Sequence, residues 1–336
     1  MVEKLAPGYL RKTARKLRGG SIVITGTNGK TTTAKMLRAI LEANGQRVVA
    51  NRAGSNMTRG IVSTLLEHSK LSGRLKGDVG LFEVDEAFVP EVARQLQPRA
   101  IVVLNLQRDQ LDRYVELDRT AHLIGSGLQY AKQVVLNADD PLVVDLAKYA
   151  PEAQLHYFGA TPRLQNLLPD DANLFTERGP GRRHLTVPRE KLEAQLKRAE
   201  TQDDGQLLEL VSHGQLLSCQ LPLDGIYNAY NAAAAQATAT SLGVKPVVAA
   251  AALEKVKPAF GRTELVEVDG KRLQILLVKN PAGFNQVIKT FLSRHRGQSV
   301  LMAINDNIAD GRDVSWLWDV DFEKLRSQQH HILSSG

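Results

Sequence analysis

The run Ser21-Ile22-Val23-Ile24-Thr25 leads directly into Gly26-Thr27-Asn28-Gly29-Lys30-Thr31-Thr32-Thr33. A β-branched strand, a glycine-framed turn, a lysine, hydroxyl residues and a helical pattern follow one another in that order, and together they constrain the fold more than any other feature. The two glycines let the backbone curl so that its N–H groups point inward, as a phosphate cradle requires. Lys30 would add a point charge at the outer phosphates, the Thr31 hydroxyl would ligate Mg²⁺, and the helix N-terminus adds partial positive charge. Only Thr27 and Asn28 separate the glycines, so the loop is shorter than the common G-x-x-x-x-G-K-[ST] pattern. An ordinary turn before a helix is the plain alternative. The order of strand, loop and helix favours a nucleotide-phosphate site made of Gly26, Thr27, Asn28, Gly29, Lys30, Thr31 and Thr32.

From residue 20 to about 158, apolar runs at 21–25, 46–50, 79–84, 100–105, 133–137 and 154–158 alternate with helical patterns at 31–44, 57–68, 88–96, 117–131 and 141–149. That alternation predicts an α/β fold with a parallel sheet, and ligands at the carboxyl ends of its strands. Residues 159–205 change character, with scattered prolines and a predicted charged helix over 189–200. A hairpin (206–211 with 215–221) and two alanine-rich helices (230–242 and 246–256) follow. Pro258-Ala259-Phe260-Gly261-Arg262 reads as a boundary. Beyond it come a hairpin turning at Asp269-Gly270, a helix over 284–294 and a strand over 299–304.

The 336 residues leave room for two or three domains, and the 43% hydrophobic and 24% charged content is that of a globular chain. The opening residues carry no signal-peptide core and no apolar run approaches a membrane span, so a cytoplasmic location is expected. A net charge of +7 and the cluster Arg11, Lys12, Arg15, Lys16 and Arg18 suit nucleic acid or an anionic membrane, or else the solvated face of a short helix. No aromatic interleaving supports nucleic-acid binding. The single cysteine, Cys219, excludes an internal disulfide and a multi-cysteine metal site, and reads as a half-buried strand residue.

The loop does not stand alone. Leu81-Phe82-Glu83-Val84-Asp85-Glu86, Asn105-Leu106-Gln107-Arg108-Asp109-Gln110-Leu111-Asp112-Arg113, Leu136-Asn137-Ala138-Asp139-Asp140-Pro141, Gly225-Ile226-Tyr227-Asn228-Ala229-Tyr230-Asn231 and Phe260-Gly261-Arg262 follow it in order. These six segments resemble the Mur ligase superfamily, ATP-dependent enzymes that join an amine to a carboxylate through an acyl phosphate. Two later segments are more specific. Val278 to Asn285 and Asn305 to Asp319 look like the MurT family, the ligase subunits of lipid II isoglutaminyl synthase.

The resemblance implies a central ATP-binding domain over 1–257, with a variable region at 160–222, and a smaller, shortened C-terminal domain over 258–336. It implies ATP and Mg²⁺, with Thr31 and Glu83 on the metal, Lys30 on the phosphates, Arg262 at the γ-phosphate, and Asn228 and Asn231 at the adenine edge. The carboxylate amidated would be that of D-glutamate in lipid II, with contact to the membrane peripheral at most and no nucleic acid. A GatD-type glutaminase subunit would supply ammonia, with Asp313 completing its Cys-His pair from across the interface. Asp313 as a cap for the Ser315-Trp316 turn, and Asp139 and Asp140 as turn residues before a helix, are the structural alternatives. Many relatives carry a four-cysteine zinc ribbon, which this chain lacks the residues for, and Gln110 stands where they have histidine. Another Mur-type amide ligase, acting on folate or on cell-wall amino-acid addition, and an ATP-binding scaffold without catalysis are the competing readings.

Overall fold

The computed structural model describes residues 8–52, 54–70, 72–107, 114–165, 187–202, 204–257, 262–278, 280–292, 297–305 and 314–335. Helix α1 (Tyr9–Ala14) precedes β1 (Ser21–Thr25), α2 (Lys30–Ala43), β2 (Val48–Ala50), α3 (Thr58–Glu67), β3 (Val79–Glu83), α4 (Val89–Leu96) and β4 (Ala100–Val103). Then come α5 (Tyr114–Leu128), β5 (Gln133–Asn137), α6 (Pro141–Asp145), β6 (Gln154–Ala160) and α7 (Pro162–Gln165). Strands β7 (Leu192–Gln202), β8 (Gly205–Ser212) and β9 (Gln215–Leu221) lead to α8 (Ile226–Ser241) and α9 (Pro246–Leu253).

The nine strands form one sheet in the order β2-β3-β1-β4-β5-β6-β7-β8-β9. Pairing is parallel from β2 through β7 and antiparallel for β8 and β9. Side chains of β1 divide between the two faces with period two: Ile22 and Ile24 enter the core under α2, α8 and α9, and Val23 enters the core under α3, α4 and α5. The alanine run of α8 explains how one helix fits between α2, α9 and the sheet. Ala229, Ala232, Ala233, Ala234 and Ala235 are fully buried, and their small side chains allow close backbone approach.

Residues 192–202 correct the helix expected over 189–200. Their composition favours helix, but β6 pairs them on one side and β8 on the other, and Ala194 and Leu196 are buried in the core beside α8. Tertiary pairing outweighs propensity here. Cys219 is fully rather than half buried, and burial, with Glu254 nearby, pushes its thiol up to about 12. In α1, Leu10, Thr13 and Ala14 face the core and Arg11, Lys12 and Arg15 face solvent, the amphipathic pattern of a solvated helix face.

The last block holds a hairpin, β10 (Arg262–Val268) and β11 (Lys271–Leu276). Its turn puts Asp269 and Gly270 both at positive φ (51° and 72°), as a two-residue hairpin turn requires. Helix α10 (Pro281–Val287) continues as a wider turn over Ile288–Leu292. Strands β12 (Ser299–Ala303) and β13 (His331–Ser335) pair in parallel. Phe284, Ile288, Leu292, Trp316, Val320 and Leu325 make this block's own core. Among the described residues, no helix is long and apolar enough to cross a membrane.

Candidate active site

The carboxyl ends of β1, β3, β4 and β5 meet at one edge of the sheet. Gly26 (φ 126°) opens the loop there, and a side-chain carbon on it would stand 2.9 Å from the Asn105 carbonyl oxygen. Gly29 (φ 89°) is the N-cap of α2, and a side chain on it would collide with Asn231 Oδ1. No side chain caps α2 and no acidic residue sits in its first turn, so its first N–H groups are oriented for an anion.

The loop is braced from outside. Thr27 N–H donates to the Asn105 carbonyl (3.1 Å), and Asn28 N–H donates to Asn105 Oδ1 (2.9 Å). Asn105 Nδ2 donates back to the Asn28 carbonyl (3.0 Å), and Gln107 N–H donates to Thr27 Oγ1 (3.0 Å). Asn105 and Gln107 follow β4, so the two segments rigidify each other.

Lys30 Nζ lies 3.1 Å from Glu86 Oε1 and 2.5 Å from the Gly26 carbonyl, with its side chain 11% exposed. Asp85 accepts from the Ala87 N–H and so caps the short turn that presents Glu86. Thr31 Oγ1 donates to Glu83 Oε2 at 2.8 Å, and both residues are buried. Glu83 is fixed by its own backbone: Asn51 Oδ1 accepts its N–H and Asn51 Nδ2 donates to its carbonyl, each at 2.9 Å. A hydroxyl beside a carboxylate is a hard-oxygen donor pair. It fits Mg²⁺, which takes few protein ligands and completes its shell with phosphate and water oxygens. Among the described residues no group of three histidine, cysteine, aspartate or glutamate side chains could hold a metal.

A solvent-open cleft runs from this loop along the start of α8. Gly29, Asn228 and Asn231 line one wall, and Leu277, Asn280 and Gln286 of the last block line the other. Gln206 Nε2 donates to the Leu223 and Gly225 carbonyls and fixes the chain entering α8, and Asn228 Nδ2 donates to the Asp224 carbonyl.

The Asn-Ala-Asp-Asp-Pro segment is structural. Asp140 caps α6, accepting from Leu142 and Val143 N–H, and also accepts from Leu106 N–H. The Asp139 side chain, 1% exposed, accepts from Arg189 Nη1 (2.5 Å), Gln165 Nε2 (2.6 Å), Ala160 N–H (2.6 Å) and Tyr230 Oη (2.9 Å). Burial and the neighbouring Asp139 carboxylate push the Tyr230 hydroxyl well up, so it remains a donor.

The structure therefore brings together Gly26 to Thr32, Glu83, Asn228 and Asn231. Arg262 begins β10, paired with Leu276; Asp313, Phe260-Gly261 and Arg108 to Arg113 lie outside the described residues. Nothing in the sequence alone marks Glu86, Gln107 or Asn280 for a role. Glu86 and Gln107 sit inside quoted motifs and Asn280 sits in the Val278–Asn285 signature, so position was the available signal; Asn51 opens the segment 51–60, which resembles the family's loop beside the nucleotide and substrate.

A phosphate loop at the end of β1, the third of the nine strands, is braced by the exit of β4 and faced across the cleft by a separate α/β block. The Mur ligase middle domain family matches residues 24–239, and the MurT ligase C-terminal family matches residues 277–336. A lipid II isoglutaminyl synthase (glutamine-hydrolyzing) subunit MurT from Staphylococcus aureus is 30% identical over 98% of this chain and 77% of its own length. The Streptococcus pneumoniae protein of the same description is 30% identical over 94% of this chain and 73% of its own. Among solved structures, MurF from Acinetobacter baumannii superposes with TM-score 0.76 at 20% identity, over 98% of this chain and 65% of the longer MurF chain. MurF from Thermotoga maritima in complex with ADP gives 0.68 at 18% identity, over 97% and 73%. The structural likenesses establish the fold, and the family match over residues 24–239 places the chain among the Mur ligases. The chain belongs to the MurT family.

Proposed function

We propose that this chain is the ATP-using subunit of an amidating ligase acting on the D-glutamate α-carboxylate of lipid II in the cytoplasm, with a GatD-type glutaminase as partner. The carboxylate oxygen attacks the γ-phosphorus of ATP, forming a C–O–P linkage as the bond to the β-phosphate oxygen breaks and ADP leaves. Ammonia nitrogen then attacks the acyl carbon. The C–N bond forms, the C–O bond to phosphate breaks, and inorganic phosphate and a proton depart. Residues 1–257 hold the ATP site and 258–336 form the family-specific domain.

Lys30 and the N–H groups of α2 hold the phosphates, and Asn228 and Asn231 present amide groups to the adenine edge. Mg²⁺ held by Thr31 and Glu83 would supply charge neutralisation at the phosphates. Arg262 meets the γ-phosphate, and Asp313 orients the partner's histidine. A carboxylate in that role fixes the imidazole tautomer and stabilises its charged form. One observation carries the reading: the MurT C-terminal family matches the same block whose Asn280 lines the phosphate-loop cleft. The test is co-expression with a GatD-type glutaminase and mass spectrometry of the lipid II stem peptide. One glutamine-dependent amidation supports it. Ligation of an amino acid without a glutaminase would place the chain among other Mur-type ligases, and binding of ATP without either product would make it a scaffold.

A further inference from the structure

Asn280 is fully buried between the last block and the phosphate loop. Its Oδ1 accepts from Gly283 N–H at 2.8 Å and caps α10. Serine or aspartate would do that as well, since an N-cap needs only an acceptor. What asparagine adds is a donor, and Nδ2 points at Asn28 Oδ1, 3.3 Å away. Asn28 Nδ2 donates in turn to Gln107 Oε1 at 2.7 Å, and Gln107 Nε2 donates to the Tyr227 hydroxyl at 3.2 Å. Tyr227 lies in the first turn of α8 and lines the cleft.

The four side chains form a directed chain of donors, from the last block, through the loop and the exit of β4, to the opposite wall of the cleft. Each bond in such a chain polarises the next in the same sense. Asn28 cannot turn independently of the loop and its brace, because Asn105 holds its N–H and carbonyl while its amide is engaged at both ends.

We propose that Asn280 is a positioning residue: through the chain Asn280–Asn28–Gln107–Tyr227 it couples the state of the phosphate loop to docking of the C-terminal block. The proposal rests on the cleft being the nucleotide site. Phosphate that settles the loop settles Asn28 with it, and so the acceptor that Asn280 needs. By linkage, a docked block then raises nucleotide affinity by the same factor.

Asn280→Ser tests this in the full chain, because serine keeps the cap, adds no charge and is too short to reach Asn28. Backbone amide exchange over 281–292 is measured with and without ADP–Mg²⁺, alongside ADP affinity by calorimetry. In the wild type, ADP should slow exchange over 281–292, and in Asn280→Ser this slowing should vanish. ADP affinity should fall in the variant by the same factor, within about 5- to 150-fold. Gln107→Leu, which breaks the next link and leaves the cap untouched, should do the same, and serves if Asn280→Ser misfolds. The Asn280→Ser and Gln107→Leu effects should be non-additive in the double variant. A wild-type ADP response in either folded variant, or additivity, overturns the coupling alone. A wild type that binds no ADP overturns the nucleotide site, and the coupling with it.

Discussion

Lys30→Ala separates the fold of the loop from its chemistry. The Lys30 ammonium and the Glu86 carboxylate lie 3.1 Å apart with side chains 11% and 16% exposed. At an effective dielectric of about 20 that separation corresponds to roughly 5 kcal/mol of attraction, much of it offset by desolvation of both groups. An exposed pair contributes about 0–1 kcal/mol and breaking a buried one costs about 3–5 kcal/mol. A loss of roughly 1–3 kcal/mol of stability is expected for this half-way case, small enough for a domain of ordinary stability to remain folded. ATP consumption should fall far more, by about 10²- to 10³-fold, the usual loss for one preorganised electrostatic group. Adding Glu86→Gln relieves the unpaired carboxylate, so the double variant should regain stability without regaining turnover. Urea unfolding and an ATP-consumption assay on both variants measure the two effects. Turnover within a few-fold of wild type in a folded Lys30→Ala chain would refute the phosphate role. Recovery of turnover in the double variant would mean that the loss was structural.

Asp139→Ala should cost about 3–5 kcal/mol, because it leaves Arg189 and three other donors facing an apolar methyl; an unfolding midpoint unchanged in urea would contradict the structural reading. Glu193 sits against His156 Nδ1 (3.2 Å) and His213 Nε2. Burial opposes its charge, but hydrogen bonds from the two histidines overcome that and lower its pKa below the ordinary value near 4.5. A carboxyl with a lowered folded-state pKa adds stability above its unfolded pKa and loses it as pH falls through the folded one. Glu193→Gln should therefore be less stable at neutral pH and show a shallower loss below about pH 4.5, read from urea midpoints across pH. Elemental analysis after dialysis should find no stoichiometric zinc, and finding it would show a metal site formed by residues outside those described. Asp313→Asn should abolish glutamine-driven amidation in a docked complex while high ammonium rescues it; loss of both would move Asp313 to the ligase site, and loss of neither would make it a loop cap.

The parallel sheet was legible because its strands are short apolar runs separated by periodic helices, and each falls within a few residues of its observed place. Residues 192–202 were not legible. Their glutamate, alanine, lysine and arginine content encodes a helix locally, and only β6 and β8 on either side make them a strand. The phosphate loop could be read because its glycines must curl and its lysine must project. The Asn28–Gln107 and Lys30–Glu86 contacts could not, since they join residues 79 and 56 positions apart, and no local pattern encodes a tertiary pairing. Asp139 illustrates the same limit. Its motif suits a turn or a catalytic site equally, and only the convergence of Ala160, Gln165, Arg189 and Tyr230 on one carboxylate decides for structure.

The shortness of the loop accounts for much of what surrounds it. With only two residues between the glycines, the turn has little chain of its own to brace it. The brace comes from Asn105 and Gln107 at the exit of β4, which contact Thr27 and Asn28 through both backbone and side-chain groups. Gly26 has no side chain because that brace comes so close, and Gly29 has none because Asn231 of α8 does. The same compactness brings the loop within reach of Asn280. The loop motif, the asparagine after β4 and the asparagines of α8 are therefore three contributions to one small cradle, which is why they occur together in the chain.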